Sequence, residues 1–506
     1  MKLLSLRLCG HDSNISYYDG YKVHYYRSER DYQIKHHRFN NLWEWRDVIK
    51  RLWNVDYKDI DEIAIIIEPY KYNLPNFTND IFPYIDYDLF PANCKVYRLD
   101  HHYAHTLSTW MIDKNPNNLH IVIDGCGDSD TDTPWSVIKD DKLLARGDLK
   151  KCDSIGRLMI TMGDFLGIER PDLPAPCDGL DTAGKVMSLQ SFGEIEKNFQ
   201  DEISSFDMYT VDKIFDFNKW INYIGDERLA AHSGLNWAAT VHDTVGKLLV
   251  KFFKSFADHN DTIVYTGGVA QNIVWNTVLK ESFPNLLIPP HCADDGLSLG
   301  GLEFLRRKNN LPHFTLDNFP FVQSDETVSE PNIDTIQNTA KLLAQGNVVA
   351  WYQGHGEIGP RALGNRSILM DPRIPNGKER INKIKKRENY RPFGGSMLSE
   401  FSKDFFDINY NDEYMLYTYT VKDPTLQSIT HIDGTSRVQC VNDSNKSYKL
   451  LLEEFYKITG CPILLNTSLN VNKKPIAGYV ANAVELFETS DIDCLVVGNQ
   501  LYRKEI

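Results

Sequence analysis

The stretch KLLSLRLCGHDSNISYYDGYKVHYY (residues 2–26) sets the fold class. Lys2–Cys9 is apolar and reads as an extended run that Gly10-His11-Asp12-Ser13 breaks. Asn14–Tyr18 and Tyr21–Tyr26 then flank Asp19-Gly20, and Asp-Gly between two β-prone runs is a hairpin signal. Further along, buried strands recur at Glu62–Ile67, His120–Ile123 and Thr262–Tyr265, alternating with helical stretches such as Leu235–Phe253. Strands alternating with helices argue for α/β layers. Lys308–Ile333, with its prolines, acidic residues and absence of a clear period, reads as a linker. A second α/β unit follows, from the helix Asp334–Gln345 and the strand Asn347–Tyr352 to the strand Cys494–Val497. The expected organisation is a domain over 1–310, a linker over 311–333 and a domain over 334–506.

The 506 residues are 42% hydrophobic and 25% charged, ordinary values for a soluble globular chain. A net charge of -14 argues against coating of nucleic acid or of an anionic membrane by the whole protein. The nine cysteines stand singly with no CxxC pair, so reduced thiols are expected rather than a zinc framework. The opening residues have too few apolar positions before His11 for a signal peptide, and no run of about 18 apolar residues occurs to span a membrane. The expected location is cytoplasmic, or the host cytoplasm if the source is viral.

Within RLDHHYAHTLSTWMID (98–113), which reads as helix, His101 and His105 lie four apart and point the same way, while His102 turns aside. Such a pair can fill two sites on one metal ion, or it can pack on a surface or in a core. The strand His120–Ile123 ends at Asp124, and ligand sites in α/β sheets sit at such tips. Asp294 and Asp295 precede the helical run Leu297–Arg306, where either could simply cap the helix. A set of two histidines and two aspartates suits iron, manganese or zinc.

Two glycine-bearing turns come next. Gly267 and Gly268 close the strand at Thr262–Tyr265, and Asp181-Thr182-Ala183-Gly184-Lys185 precedes a helical segment. Both allow close approach of backbone N–H groups to a phosphate or ribose, and both are also explained by tight turns. From Arg361 to Arg391 ten basic residues face only Asp371, Glu379 and Glu388. Lys378–Arg387 could be a solvated helix face. The arginines of GPRALGNRS and NYRPFGGS sit among Gly, Pro and Asn, where recognition of phosphate or carboxylate explains them better.

These pieces, in this order, resemble the carbamoyltransferase family that includes the nodulation-factor, cephamycin and tobramycin O-carbamoyltransferases. The resemblance rests on Gly10-His11-Asp12-Ser13, Ser28-Glu29-Arg30, His101-His102-Tyr103-Ala104-His105, Asp124-Gly125, DTAGKVMSLQSFG (181–193), TGGVAQN (266–272) and Asp294-Asp295-Gly296. It continues through GPRALGNRSILMDPR (359–373), RPFGGS (391–396), SRVQCV (436–441) and CPILLNTSLNV (461–471). It implies an N-terminal actin and sugar-kinase-like domain and a C-terminal YrdC-like domain. The implied chemistry has two stages: carbamoyl phosphate and ATP give carbamoyl-adenylate, and the carbamoyl group then passes to an acceptor hydroxyl with release of AMP. The implied metal ligands are His101, His105, Asp124 and Asp294, with iron as first choice and manganese, zinc or magnesium as alternatives. His11 and Asp12 are the implied catalytic pair. Gly184, Lys185, Gly267, Gly268, Asn272, Arg361, Asn365, Arg366, Arg391, Arg437, Asn466, Ser468 and Asn470 are expected to bind ATP and carbamoyl phosphate. The chain departs from the family pattern at His355-Gly356-Glu357-Ile358, at Met187-Ser188-Leu189-Gln190 and at Gly394-Gly395, where Ala-Pro is expected.

A small sugar-like or antibiotic-like hydroxyl is the expected acceptor, with a hydroxymethylated base in DNA as the alternative. Lys35, His36, His37, Arg38, Trp43, Trp45 and Arg46 could line an approach for DNA or a sugar, or pack a helix on the sheet. Thiol carbamoylation, as in hydrogenase maturation, is disfavoured because those relatives carry zinc fingers and this chain has no CxxC.

Overall fold

In a computed structural model of the chain, residues 1–8, 10–67, 89–92, 94–125, 133–148, 154–170, 179–203 and 232–504 are described. The chain divides into two units, Met1–Tyr25 with Arg38–Thr315 and Tyr26–His37 with Leu316–Ile506.

The first unit holds two sheets. In one, β1 (Leu3–Leu8) pairs antiparallel with β2 (Asn14–Tyr18) and parallel with β4 (Glu62–Ile67), in the order β3-β2-β1-β4-β5 with β3 (Val23–Arg27) and β5 (Lys95–Arg98). Every residue of β1 is buried, as expected for a strand covered on both faces. Leu4, Leu6 and Leu8 alternate with Ser5 and Arg7. The helix Leu297–Lys308 lies so close to the Ser5 face that a Cβ at Gly301 would stand 2.1 Å from Ser5 Oγ. The second sheet runs β10-β9-β6-β7-β8. It comprises β6 (Leu119–Ile123), β7 (Trp135–Lys139), β8 (Lys142–Arg146), β9 (Ile263–Thr266) and β10 (Leu286–Leu287), with β6, β9 and β10 parallel. Between β5 and β6 the helix His101–Leu107 starts at Asp100, whose side chain accepts from Tyr103 N. It meets the helix Leu297–Lys308 where a side chain at Gly300 would collide with Ala104 O, so glycine is required there.

The second unit holds a mixed sheet ordered β18-β15-β19-β14-β12-β20-β21. Its strands are β12 (Val349–Tyr352), β14 (Arg366–Met370), β15 (Gly394–Leu398), β18 (Val438–Val441), β19 (Ile463–Ser468), β20 (Cys494–Val497) and β21 (Gln500–Arg503). Two short pairs accompany it: β11 (Phe321–Gln323) with β13 (Gly356–Glu357), and β16 (Tyr419–Thr420) with β17 (Thr435–Ser436). The helices Ile333–Ala344 and Lys446–Thr459 pack against one another.

The α/β class is as expected, and three details differ. The segment read as a linker contains β11, which gains hydrogen bonds from β13, a partner remote in sequence. A further strand, β21, pairs antiparallel with β20 beyond Val497. Gly184 and Lys185 lie inside the helix Thr182–Leu189, not in a turn before it, because the helix begins directly after Asp181. Cys94, Cys292, Cys440, Cys461 and Cys494 are free thiols, while Cys9, Cys126, Cys152 and Cys177 lie outside the described residues. Among the described residues no helix is long and apolar enough to cross a membrane.

Candidate active site

The C-terminal ends of β1, β5, β6 and β9 deliver polar residues to the first unit's candidate site, as expected at the strand tips of an α/β sheet. Ligating atoms of His101, His105, Asp124 and Asp294, all buried, lie within 4.8 Å of one another. His101 Nε2 stands 3.1 Å from His105 Nε2 and 3.4 Å from Asp124 Oδ2, and His105 Nε2 stands 3.1 Å from the same oxygen. Asp294 Oδ1 lies 3.2 and 3.5 Å from the two histidine nitrogens. Two imidazole nitrogens facing each other at this distance have room for one proton between them, whereas a single cation satisfies all four groups. Ligand atoms around an ion with bonds of about 2.0–2.1 Å stand about 3–3.5 Å apart, so the donor set fits a divalent metal. The set contains no thiolate, which suits a borderline or hard ion.

Local structure explains the convergence. The i, i+4 spacing puts both histidines on one face of their helix. Asp124 Oδ1 accepts from Gly125 N at 2.6 Å, leaving Oδ2 to face the histidines. Asp294 opens a short 3₁₀ turn and makes no side-chain capping bond, so helix capping does not account for it. Burial pushes the Asp124 carboxyl up, but hydrogen bonds from His101 and His105 outweigh it and hold it below the usual range. Asp294 is likewise lowered: burial opposes ionisation, and the charges of His101 and His11 overcome it.

His11 joins this group from the loop after β1. Its Nδ1 is 2.8 Å from Asp12 Oδ2 and its Nε2 is 3.6 Å from Asp294 Oδ2. Burial alone would lower the His11 pKa, yet Asp294 and Asp12 raise it above its ordinary value. Asp12 itself has φ 59°, a left-handed conformation that short polar side chains tolerate. Gly267 and Gly268 lie beside Asp124. At Gly267, with φ 93°, a Cβ would meet Ile123 O at 2.2 Å; at Gly268 it would meet Asp124 Oδ1 at 2.9 Å.

In the second unit the basic run resolves into two kinds of residue. Lys385 is buried, with Nζ at 2.5 Å from Ser468 O, 2.9 Å from Asn470 O and 2.7 Å from Asn470 Oδ1. Burial first, then Arg387, Arg391, Lys35 and Arg437, pushes its ammonium well below the ordinary range. Arg437 is lowered for the same reasons, by burial and by Arg361, Arg387 and Arg391. Arg437 Nε is buried without a hydrogen-bond partner. Asn466 Oδ1 is a buried acceptor without one, while its amide donates to Ala362 O and Ser396 Oγ. Mutually repelling cations held together in this way suit an anion such as phosphate. Gly394-Gly395 makes room for them, since a Cβ at Gly394 would stand 2.7 Å from Arg437 Cγ. Glu357 holds the loop bearing Arg361 by accepting from the N–H groups of Leu363, Asn365 and Arg366.

Several residues expected to bind ATP or carbamoyl phosphate make hydrogen bonds within the protein. Arg366 is fully buried and donates to Gln353 O, Glu326 O and Gly354 O and to Asp325 Oδ1, with its guanidinium over the Tyr352 ring, so protein groups engage it. Asn365 is held by Gln353, Asn445 and His355 O. Asn272 caps the helix Ile273–Ser282 through Trp275 N and bonds His242. In the proposed approach, Trp45 is fully buried and Arg46 lies over the Tyr57 ring at 4.1 Å, so both pack the helix Glu44–Trp53 onto the fold. Lys35, Lys385 and Arg387 were missed as members of the cation group. For Lys385 the signal was present: it follows Ile381 and Ile384 at i+4 and i+1, on the buried side of its helix. Lys185 Nζ reaches Glu169 O at 3.5 Å.

Comparison with known proteins gives two family models. "Carbamoyltransferase N-terminus" matches residues 91–302 and "Carbamoyltransferase C-terminus" matches residues 340–504. The chain is 31% identical over 446 residues to nodulation protein NolNO of Sinorhizobium fredii, covering 80% of this chain and 64% of that protein. It is 32% identical over 278 residues to the 3'-hydroxymethylcephem-O-carbamoyltransferase of Amycolatopsis lactamdurans, covering 51% of this chain and 53% of that enzyme. The matched region thus spans less than two thirds of either relative. Among solved structures, T. kodakarensis HypF aligns with 61% of this chain and 48% of its own at 13% identity and a TM-score of 0.39. With both halves of one family matched in order, the chain belongs to the carbamoyltransferase family.

Proposed function

We propose that this protein is an ATP-dependent O-carbamoyltransferase acting on a small-molecule hydroxyl. The observation that carries the reading is the convergence of His101, His105, Asp124 and Asp294 at the strand tips, with the His11–Asp12 pair beside them. Carbamate is a poor electrophile, and adenylation gives it a phosphate leaving group. In the second unit Lys385, Arg361, Arg391 and Arg437, with Ser468 and Asn470, hold the phosphates of ATP and carbamoyl phosphate. Water hydrolyses carbamoyl phosphate there to carbamate and phosphate, and a carbamate oxygen then attacks the α-phosphorus of ATP, breaking its bond to pyrophosphate and giving carbamoyl-adenylate.

In the first unit the acceptor oxygen attacks the carbamoyl carbon, the bond to the AMP oxygen breaks, and the acceptor proton passes to His11 Nε2. Asp12 keeps the other ring nitrogen protonated, so that Nε2 is the basic one. His101, His105, Asp124 and Asp294 would hold a divalent ion, which would supply positive charge for the adenylate phosphate. The relative from Amycolatopsis lactamdurans is a 3'-hydroxymethylcephem-O-carbamoyltransferase, which favours a small hydroxylated acceptor. Of the seven residues read as an approach for DNA or a sugar, Trp45 is buried and Arg46 lies over the Tyr57 ring, which supports the packing reading for those two.

The test offers ATP and carbamoyl phosphate with a panel of hydroxylated sugars and, in parallel, hydroxymethylcytosine DNA, and reads products by mass spectrometry. A carbamate ester on a sugar is expected. Carbamoylated DNA with every sugar untouched refutes the acceptor class.

A further inference from the structure

Arg7 is the last-but-one residue of β1 and is 1% exposed. A buried arginine at the tip of a central strand needs a partner, and Arg7 Nη2 donates to Asp294 Oδ2 at 3.2 Å. The other oxygen of the same carboxylate, Oδ1, faces His101 and His105. Asp294 is thereby divided, one oxygen toward the histidines and one toward the guanidinium. Asp124 shows the same division, with Oδ1 on Gly125 N and Oδ2 on the histidines.

The residue facing Arg7 in the β1–β2 register is Asn14. Its Nδ2 donates to Asp294 O at 2.9 Å and its Oδ1 accepts from Ser298 N at 2.9 Å, so this cross-strand pair grips both the side chain and the backbone of the Asp294 turn. Chain geometry reserves the space for the guanidinium: a Cβ at Gly10 would stand 2.1 Å from Arg7 Nη2 and 2.5 Å from Cζ.

We propose that Arg7 is a positioning residue of the two-histidine, two-aspartate centre, holding Asp294 Oδ2 so that the carboxylate offers Oδ1 alone to a divalent ion. The inference rests on the metal reading given above. Without Arg7, Asp294 is free to turn both oxygens to the ion or to close on His11 Nε2, 3.6 Å away.

The experiment titrates the full chain, freed of metal, with Co²⁺ and reads affinity by chelator competition and ligand geometry by the visible absorption band. R7M is expected to weaken Co²⁺ binding by about 10–100-fold, the usual cost of losing a partner that orients a metal ligand, and to change the band. R7K, which keeps a charged donor, is expected to recover much of both. Should R7M fail to fold, G10A is read in its place, because its added methyl displaces the guanidinium and leaves its charge. A folded R7M or G10A with wild-type affinity and a wild-type band overturns the proposal for Arg7 alone. A wild-type protein that takes up no Co²⁺ overturns the metal reading and the proposal together.

Discussion

Replacing Lys385 with methionine separates a ligand-binding cation from a structural clamp. In the ligand-free protein two effects oppose each other. The ammonium donates to acceptors on Ser468 and Asn470, and each hydrogen bond from a charged group contributes about 1.5–3 kcal/mol. Against this, burial and four neighbouring cations disfavour its charge strongly enough to push its pKa well down. The opposing contributions leave K385M within about 2 kcal/mol of wild-type stability without ligand, by the usual size of a net buried hydrogen bond. With an anion bound the repulsion is relieved and the full charge counts. Its loss then costs about 2–5 kcal/mol of binding, a weakening of about 30-fold to several thousand-fold. Urea denaturation with and without carbamoyl phosphate, alongside carbamoyl-phosphate-dependent pyrophosphate release, measures both quantities. The pH dependence gives an independent sign. The unfolded lysine keeps its proton up to about 10.4 while the folded one resists it, so ligand-free wild-type stability rises with pH in the window below that value. K385M should lack that rise. Wild-type anion affinity in K385M, with a stability loss well beyond 3 kcal/mol, about the upper size of one charged hydrogen bond, would refute the ligand role.

Three further outcomes follow from particular contacts. R366M leaves Asp325 buried without its guanidinium and should lose about 3–5 kcal/mol in urea denaturation, with ATP affinity of the folded fraction unchanged. Burial lifts the Asp412 carboxyl to about 7 against hydrogen bonds from the N–H groups of Tyr414, Tyr417 and Leu416. An unfolded aspartate ionises near 3.9, so between about pH 4 and 7 the folded state alone holds the proton and this group's contribution falls as pH rises. The stability difference between wild type and D412N should therefore drift by up to about 4 kcal/mol across that window; a flat difference contradicts it. Chelation should abolish transfer while carbamoyl-phosphate-dependent pyrophosphate release continues, and loss of both on adding chelator would place the metal in the first stage.

The legible parts of the site were those with a local signature. His101 and His105 share a helix face, and Asp124 ends a strand that its own apolar run announces. Arg7 was invisible because its partner, Asp294, lies 287 residues away, and nothing in LSLRL distinguishes a functional arginine from a strand-end charge. Arg366 is the converse case. Counting charge across Arg361–Arg391 cannot tell a cation awaiting an anion from one already surrounded by carbonyl oxygens. The α/β class was readable from strand and helix alternation, whereas β11 and β21 needed long-range or edge pairing to exist at all. Gly394-Gly395 looked like a departure from pattern, and the structure supplies its reason in the side chain of Arg437.

The most direct measurement follows carbon-labelled carbamoyl phosphate through a single turnover with ATP and a hydroxyl acceptor, in wild type and in H101A. Division of the chemistry between two centres predicts that both proteins release pyrophosphate and form labelled carbamoyl-adenylate. Wild type alone should then release AMP and place the label on the acceptor oxygen. Labelled acceptor from H101A at the wild-type rate, or no carbamoyl-phosphate-dependent pyrophosphate from wild type, would contradict it.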